Sequence, residues 1–187
     1  MWLRSLFDHL CWSVTRHDVP ATRPTLYRAP SWSWASIDGP VTFGDSSAIK
    51  GSNLFQIINA TTTLSGNDLL GQVSDGSLCV RAKLSHQLWK RKSTLAIQCS
   101  YVYPLREDSP DYFREANVSF SNASLVLDVP GVENELEIWS MPIQDQFALA
   151  LQPTEGKDST FTRIGAIVWR SSRDDLFSEE LRDITII

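Results

Sequence analysis

Cysteine is scarce and unpatterned in this chain: Cys11, Cys79 and Cys99 are the three present, an odd number with no C-x-x-C spacing. That excludes a disulfide framework and a zinc ribbon, and it points to a reducing, cytoplasmic setting. A surplus of positive charge is also missing. With 17 Lys and Arg against 22 Asp and Glu the net charge is −5, whereas proteins that coat phosphate backbones accumulate cations. Nucleic acid is therefore not an expected partner, and "WKRK" at residues 89–92 reads as a solvated strand end. No long apolar run occurs. The opening "MWLRSLFDHLCWSV" is broken by Arg4, Asp8 and His9, so it is neither a signal-peptide core nor a membrane span. Without a secretory signal, the sequons at Asn59, Asn117 and Asn122 are chance triplets. Nor is there a repeat, a low-complexity tract or a Gly/Ser linker to divide the chain. One domain over residues 1–187 is expected.

The familiar catalytic patterns are absent too. There is no G-x-S-x-G elbow, and His9, His17 and His86 have no local partner pattern for a nucleophilic triad. His9 and Cys11 diverge by about 200° on a helix, so they do not converge on one metal ion. Gly156 and Lys157 within "PTEGKDST" lack the earlier glycine of a phosphate loop. This stretch reads as the connection of a hairpin between "FALALQP" and "FTRIGAIVW". No cofactor or metal is implied.

What the chain does have is tryptophan and alternation. Seven tryptophans are about three times average usage, and each brings a large apolar ring with one N–H to satisfy. Helical spacing of Leu3, Leu6, Phe7, Leu10 and Val14 predicts a short amphipathic helix over residues 1–14. Pro20 and Pro24 then stop any helix. From residue 27 onward the pattern is that of strands: 54–64, 78–84, 87–90, 95–102, 118–129, 136–142, 147–151, 160–169 and 183–187. The polar stretches "LREDSPDYFREAN" and "SSRDDLFSEELRD" read as loops or single helical turns. The expected fold is mainly β, a sandwich or partly closed antiparallel barrel over residues 27–187, with the amino-terminal helix covering one side or end.

The most unusual stretch is "YRAPSWSWASIDGPV", residues 27–41. Read as an extended strand, it places Trp32, Trp34 and Ser36 on one face, until Asp38-Gly39-Pro40 turns the chain. Such a face either seals a core or lines a pocket. Arg28 and Asp38 are spaced to close the ends of the stretch as an ion pair. With "LFDHLCWSV" before it, and "GQVSDGSLCVRAKL", "FTRIGAIVW" and "LRDITII" after it, the stretch resembles the carboxy-terminal region of fungal heterokaryon-incompatibility (HET) domain proteins. The resemblance implies a β-rich appendage without the upstream HET domain, and it brings no catalytic residues with it.

Two functions are consistent with these residues. The first is a small-molecule binder of fungal secondary metabolism, in its catalytic form a cofactor-free, pericyclase-like cyclase or isomerase acting through positioning and a few hydrogen bonds. Trp32, Trp34, Trp139 and Trp169 would shape its pocket, Tyr27 or Arg28 would donate to a substrate carbonyl or carboxylate, and Asp38 or Asp128 would orient the donor. Its partner is a hydrophobic small molecule. The alternative is a non-catalytic structural or protein-interaction domain, whose tryptophans fill a core and whose exposed apolar patch meets a protein partner.

Overall fold

Alternation of apolar and polar side chains from residue 55 onward builds strands, because a two-residue period presents one apolar face of a pleated sheet to a core. The computed structural model describes residues 6–7, 9–15, 20–44, 55–68, 71–90, 101–104, 123–131, 135–144, 146–169 and 180–187. Eleven strands lie among them: β1 (Trp12–Val14), β2 (Val41–Phe43), β3 (Phe55–Leu64), β4 (Val73–Lys83), β5 (Ser85–Lys90), β6 (Tyr101–Pro104), β7 (Ala123–Leu127), β8 (Glu135–Gln144), β9 (Phe147–Pro153), β10 (Thr160–Trp169) and β11 (Leu181–Ile186). The mainly β expectation holds, with nine of these strands close to the predicted stretches. The polar stretch of residues 105–117 and residues 171–179 of the second lie outside the described residues, while residues 181–183, expected in a loop or helical turn, open β11.

β1 and β2 form a small antiparallel sheet, and the other nine strands form one large sheet in the order β3-β4-β11-β10-β9-β8-β5-β6, with β7 on β10. All pairs are antiparallel except β10 with β11. Leu84 alone separates β4 from β5. One extended run therefore pairs with β3 and β11 through its first part, and with β8 and β6 through its second. That bend curls the sheet. Leu78 and Val80 of β4, Ile184 of β11, Leu149 of β9 and Met141 of β8 accordingly meet in one apolar cluster, to which the corner residue Leu84 also belongs. The hydrogen-bonded path runs from β3 to β6 without joining its ends among the described residues, so no closed barrel forms.

β9 shows how the sequence serves two layers. Phe147, Leu149 and Leu151 point into this first cluster, while Ala148 and Ala150 point the other way, beside Ile138, Ile167, Trp89 and Trp169. Both faces are buried, which is why small and large residues alternate in "FALALQP". A third, smaller cluster of Trp12, Ala21 and Ile37 lies by the two-stranded sheet. Across β4 and β11, Arg81 and Asp183 face each other and pair through two bonds of 2.6 and 2.8 Å, fixing the register at the surface.

The helix expected over residues 1–14 is corrected. Residues 6, 7, 9 and 10 have helical backbone, but the chain is extended from Trp12 and pairs with β2. The carbonyls of Leu10 and Trp12 accept from the Arg163 side chain, and that of Cys11 accepts from Gly44 N–H. Cross-strand pairing with β2, rather than a helical pattern, satisfies the backbone of residues 12–14. Among the described residues, no helix is long and apolar enough to cross a membrane.

β10 passes β7 at close range at Gly165, where a Cβ would stand 2.5 Å from the Val126 carbonyl oxygen and 3.0 Å from Leu127 Cα. Both obstacles are backbone and cannot swing aside. Gly165→Ala is expected to destabilise the protein by about 1–3 kcal/mol through this overpacking. Urea unfolding followed by circular dichroism checks it, and an unchanged midpoint would refute the close approach.

Candidate functional site

A charged residue inside the apolar run "FTRIGAIVW" is costly unless it is paired and fully hydrogen-bonded. Arg163 meets both conditions. It is completely buried, and its guanidinium donates to Asp128 (3.2 and 3.3 Å), to the Leu10 carbonyl (3.1 Å) and to the Trp12 carbonyl (2.6 Å). The Trp12 ring lies against it, 3.4 Å from its central carbon to the ring centroid. Burial pulls the Arg163 pKa down and Asp128 pulls it back up, with the nearby Arg23 charge adding to the downward side. The Trp12 indole N–H in turn donates to the Trp32 carbonyl at 3.0 Å. Through this chain of contacts one side chain ties the amino-terminal segment, β7 and β10 to the unusual stretch of residues 27–41.

That stretch is not the extended strand predicted. Ser33 N–H donates to the Pro30 carbonyl, Ser36 N–H to the Ser33 carbonyl and Ile37 N–H to the Trp34 carbonyl, so a turn leads into a short 3-10 helix over Trp34–Ser36. Ser33 caps it, its hydroxyl accepting from Ala35 N–H. The consequence for the two indoles is opposite placement: Trp32 is 8% exposed and Trp34 46%. Local serine chemistry has replaced alternation.

Arg28 closes this loop as expected. It donates to the carbonyls of Ala35 (2.6 Å) and Ile37 (2.9 Å) and pairs with Asp38 at 2.7 Å. Asp38 also bridges to Thr22 through the backbone. At the other end, Pro30 packs against Gly76 of β4 so closely that no side chain fits there. The Ser31 hydroxyl bonds the Ile187 carbonyl and accepts the Arg163 N–H at 3.0 Å. A loop so tied is a rigid platform.

Beside it opens a cleft of about 260 Å³, walled by Arg23, Pro24, Leu26, Tyr27, Arg28 and Ala29 of the loop. Ser31, Ser36, Asp75, Thr162 and Ile187 complete it. A shallower groove of about 600 Å³ continues past Tyr27 to Gly71, Gln72 and Val73. Gln72 fixes that side by donating to the Tyr27 carbonyl at 3.1 Å. Partial burial, and secondarily the Asp75 charge, push the Tyr27 pKa up, so its hydroxyl stays protonated and able to donate. Arg23 is held by Ser36 Oγ (3.2 Å), the Arg163 carbonyl (2.7 Å) and, more loosely, Asp128 (3.5 Å).

Of the residues predicted for a site, Tyr27 and Arg28 line this cleft, and Asp38 holds Arg28. The four tryptophans do not converge on one cavity. Trp32 belongs to the first apolar cluster and Trp169 to the second, while Trp139 packs on the first and stacks on His86 at 4.6 Å between centroids. Asp128 is 1% exposed and serves Arg163. Sequence reasoning missed Arg23, which carries no local signal in "TRHDVPATRP". It also missed Arg163, whose signal is a lone charge within an apolar strand, two residues before Gly165.

Burial separates the two ion pairs energetically. Arg163→Met leaves Asp128 and two backbone carbonyls with lost donors, and is expected to cost about 3–5 kcal/mol in urea unfolding. Asp38→Asn, at a surface pair, is expected to cost less than about 1 kcal/mol, with a penalty that shrinks further in high salt. Equal losses would overturn the assignment of Arg163 as the central tie.

Comparison with protein-family models, with curated proteins and with solved structures finds no match to this chain, so its functional reading rests on the residues and geometry above.

Proposed function

We propose that the chain is a small-molecule-binding protein whose site is the cleft beside residues 23–38. The observation that carries this reading is the combination of a concavity with a wall that is already fixed: Arg28, Ser31, Ser33 and Gln72 hold the loop by hydrogen bonds before any ligand arrives. Preorganised walls reduce the ordering cost of binding. Leu26, Pro24 and Ala29 supply apolar contact, and Tyr27, Arg23 and Ser36 supply the few polar groups that orient a ligand. At about 260 Å³ the cleft lies just below the usual range for drug-sized ligands, roughly 300–1,000 Å³. A compact molecule suits it.

In this reading the curled sheet is a sandwich or partly closed barrel that serves as scaffold. The resemblance of residues 27–41 to HET-protein carboxy-terminal regions supplies the ancestry, and fungal secondary metabolism the setting. A cofactor-free cyclase or isomerase is the catalytic form of the proposal. The Tyr27 hydroxyl is then its donor, because Arg28 is paired with Asp38.

A second reading has its own support. Trp34 is 46% exposed and Leu26 78%, and exposed aromatics on a rigid loop are the residue type that anchors protein interfaces. Here the domain is a non-catalytic interaction module.

A fragment screen read by ¹H–¹⁵N shifts separates the two. Hits are expected to move the amides of Leu26, Tyr27, Gln72 and Ile187, and Leu26→Asp is expected to weaken them about tenfold without lowering stability. Hits confined to the Trp34 indole would favour the interaction module, and scattered shifts would remove the cleft from consideration.

A further inference from the structure

Charge is not balanced evenly around the cleft. Arg28 and Asp38 form a one-to-one pair. Asp128, by contrast, is shared between two guanidinium groups, those of Arg163 and Arg23. Arg163 has the larger claim on it, with contacts of 3.2 and 3.3 Å from two nitrogens, against a single 3.5 Å contact from Arg23. Arg163 is fully buried and Arg23 is about one-third exposed. Among the described residues, this trio of two guanidinium groups and one carboxylate carries one net positive charge, and Arg23 is its member on the cleft wall.

The same side chain is held in place. Its contacts to Ser36 Oγ and to the Arg163 carbonyl fix the guanidinium plane, and three of its N–H groups are taken by the bonds to Ser36, Asp128 and Arg163. A guanidinium has five, so N–H groups remain for a further acceptor. Asp75 is the acidic residue on the cleft wall. It is exposed and accepts from Gly76 N–H at 2.8 Å, so solvent screens its charge more than that of Arg23.

We infer that the cleft takes a small carboxylate with an apolar body, its anionic end on Arg23 and its apolar part against Pro24, Leu26 and the Tyr27 ring. This rests on the proposal that the cleft is a ligand site, and it names the ligand's chemistry. A carboxylate supplies the single negative charge that the two-to-one arrangement lacks, in a shape that matches a guanidinium edge. Asp128 then orients a donor, as expected of it from the sequence, but the donor is Arg23 rather than Tyr27 or Arg28.

The test titrates the protein with phenylacetate and with its neutral counterpart phenylacetamide, following amide shifts of residues 23–31 and the Arg23 Nε–H signal. Phenylacetate is expected to bind at least about tenfold more tightly than the amide, and to lose that advantage as salt rises from about 50 to about 500 mM. Arg23→Gln is expected to abolish the preference, so that acid and amide bind within about twofold of each other, and Arg23→Lys to keep part of it. If Arg23→Gln does not fold, the acid-to-amide ratio and its salt dependence in the unaltered protein still decide the matter. Equal binding of both compounds in the cleft would overturn the inference and leave the cleft as a ligand site. Binding of neither there would overturn both.

Discussion

The buried guanidinium of Arg163 is the constraint on which the rest of this structure depends. It sits at an irregularity in the pairing of β10 with β9, where the register shifts between Arg163 and Gly165. Its donors reach Asp128 after β7 and the carbonyls of Leu10 and of Trp12 at the start of β1. Desolvating such a charge costs several kcal/mol, and only complete hydrogen bonding offsets that cost. The geometry of three chain segments is therefore mutually dependent. None of them can shift without leaving a charge or a carbonyl unsatisfied in the interior.

This dependence reaches the surface through residues 31 and 32. Ser31 takes the Arg163 backbone N–H, and the Trp32 carbonyl takes the Trp12 indole N–H. The loop that carries Tyr27, Arg28 and Trp34 is consequently fastened to the core at its centre and closed on itself by Arg28. Arg23 completes the link, touching Asp128 on one side and the cleft on the other. The candidate site is thus an outcrop of the buried charge network, and the polarity of the cleft follows from an imbalance set up in the interior.

Much of the sheet was legible in the sequence because alternation is a local property. The predicted strand of residues 160–169 coincides with β10 (Thr160–Trp169), and the hairpin after "FALALQP" is present as β9 and β10. The tract 27–41 was legible as unusual but not in its conformation. Its serines form turn and cap bonds that alternation does not report, so Trp32 and Trp34 part company. The amino-terminal helix failed for a different reason: its spacing is helical, yet residues 12–14 pair with β2 as a strand. Local turn and cap bonds overrode alternation in the first case, and a strand distant in sequence overrode helical spacing in the second.

By itself, the sequence determined the strand-rich class, the alternating small and large residues of β9 and the Arg28–Asp38 closure. Each depends on residues within about ten positions of one another, where spacing alone dictates which side chains share a face. Only the tertiary structure decided that the tryptophans divide among separate clusters and that Asp128 serves two arginines. It also decided that Arg23, unremarked in the sequence, joins the buried Asp128 to the cleft wall. The contacts of Asp128 and Arg23 join residues 35 to 140 positions apart, and such pairings arise only when the sheet order and its curl have brought the segments together.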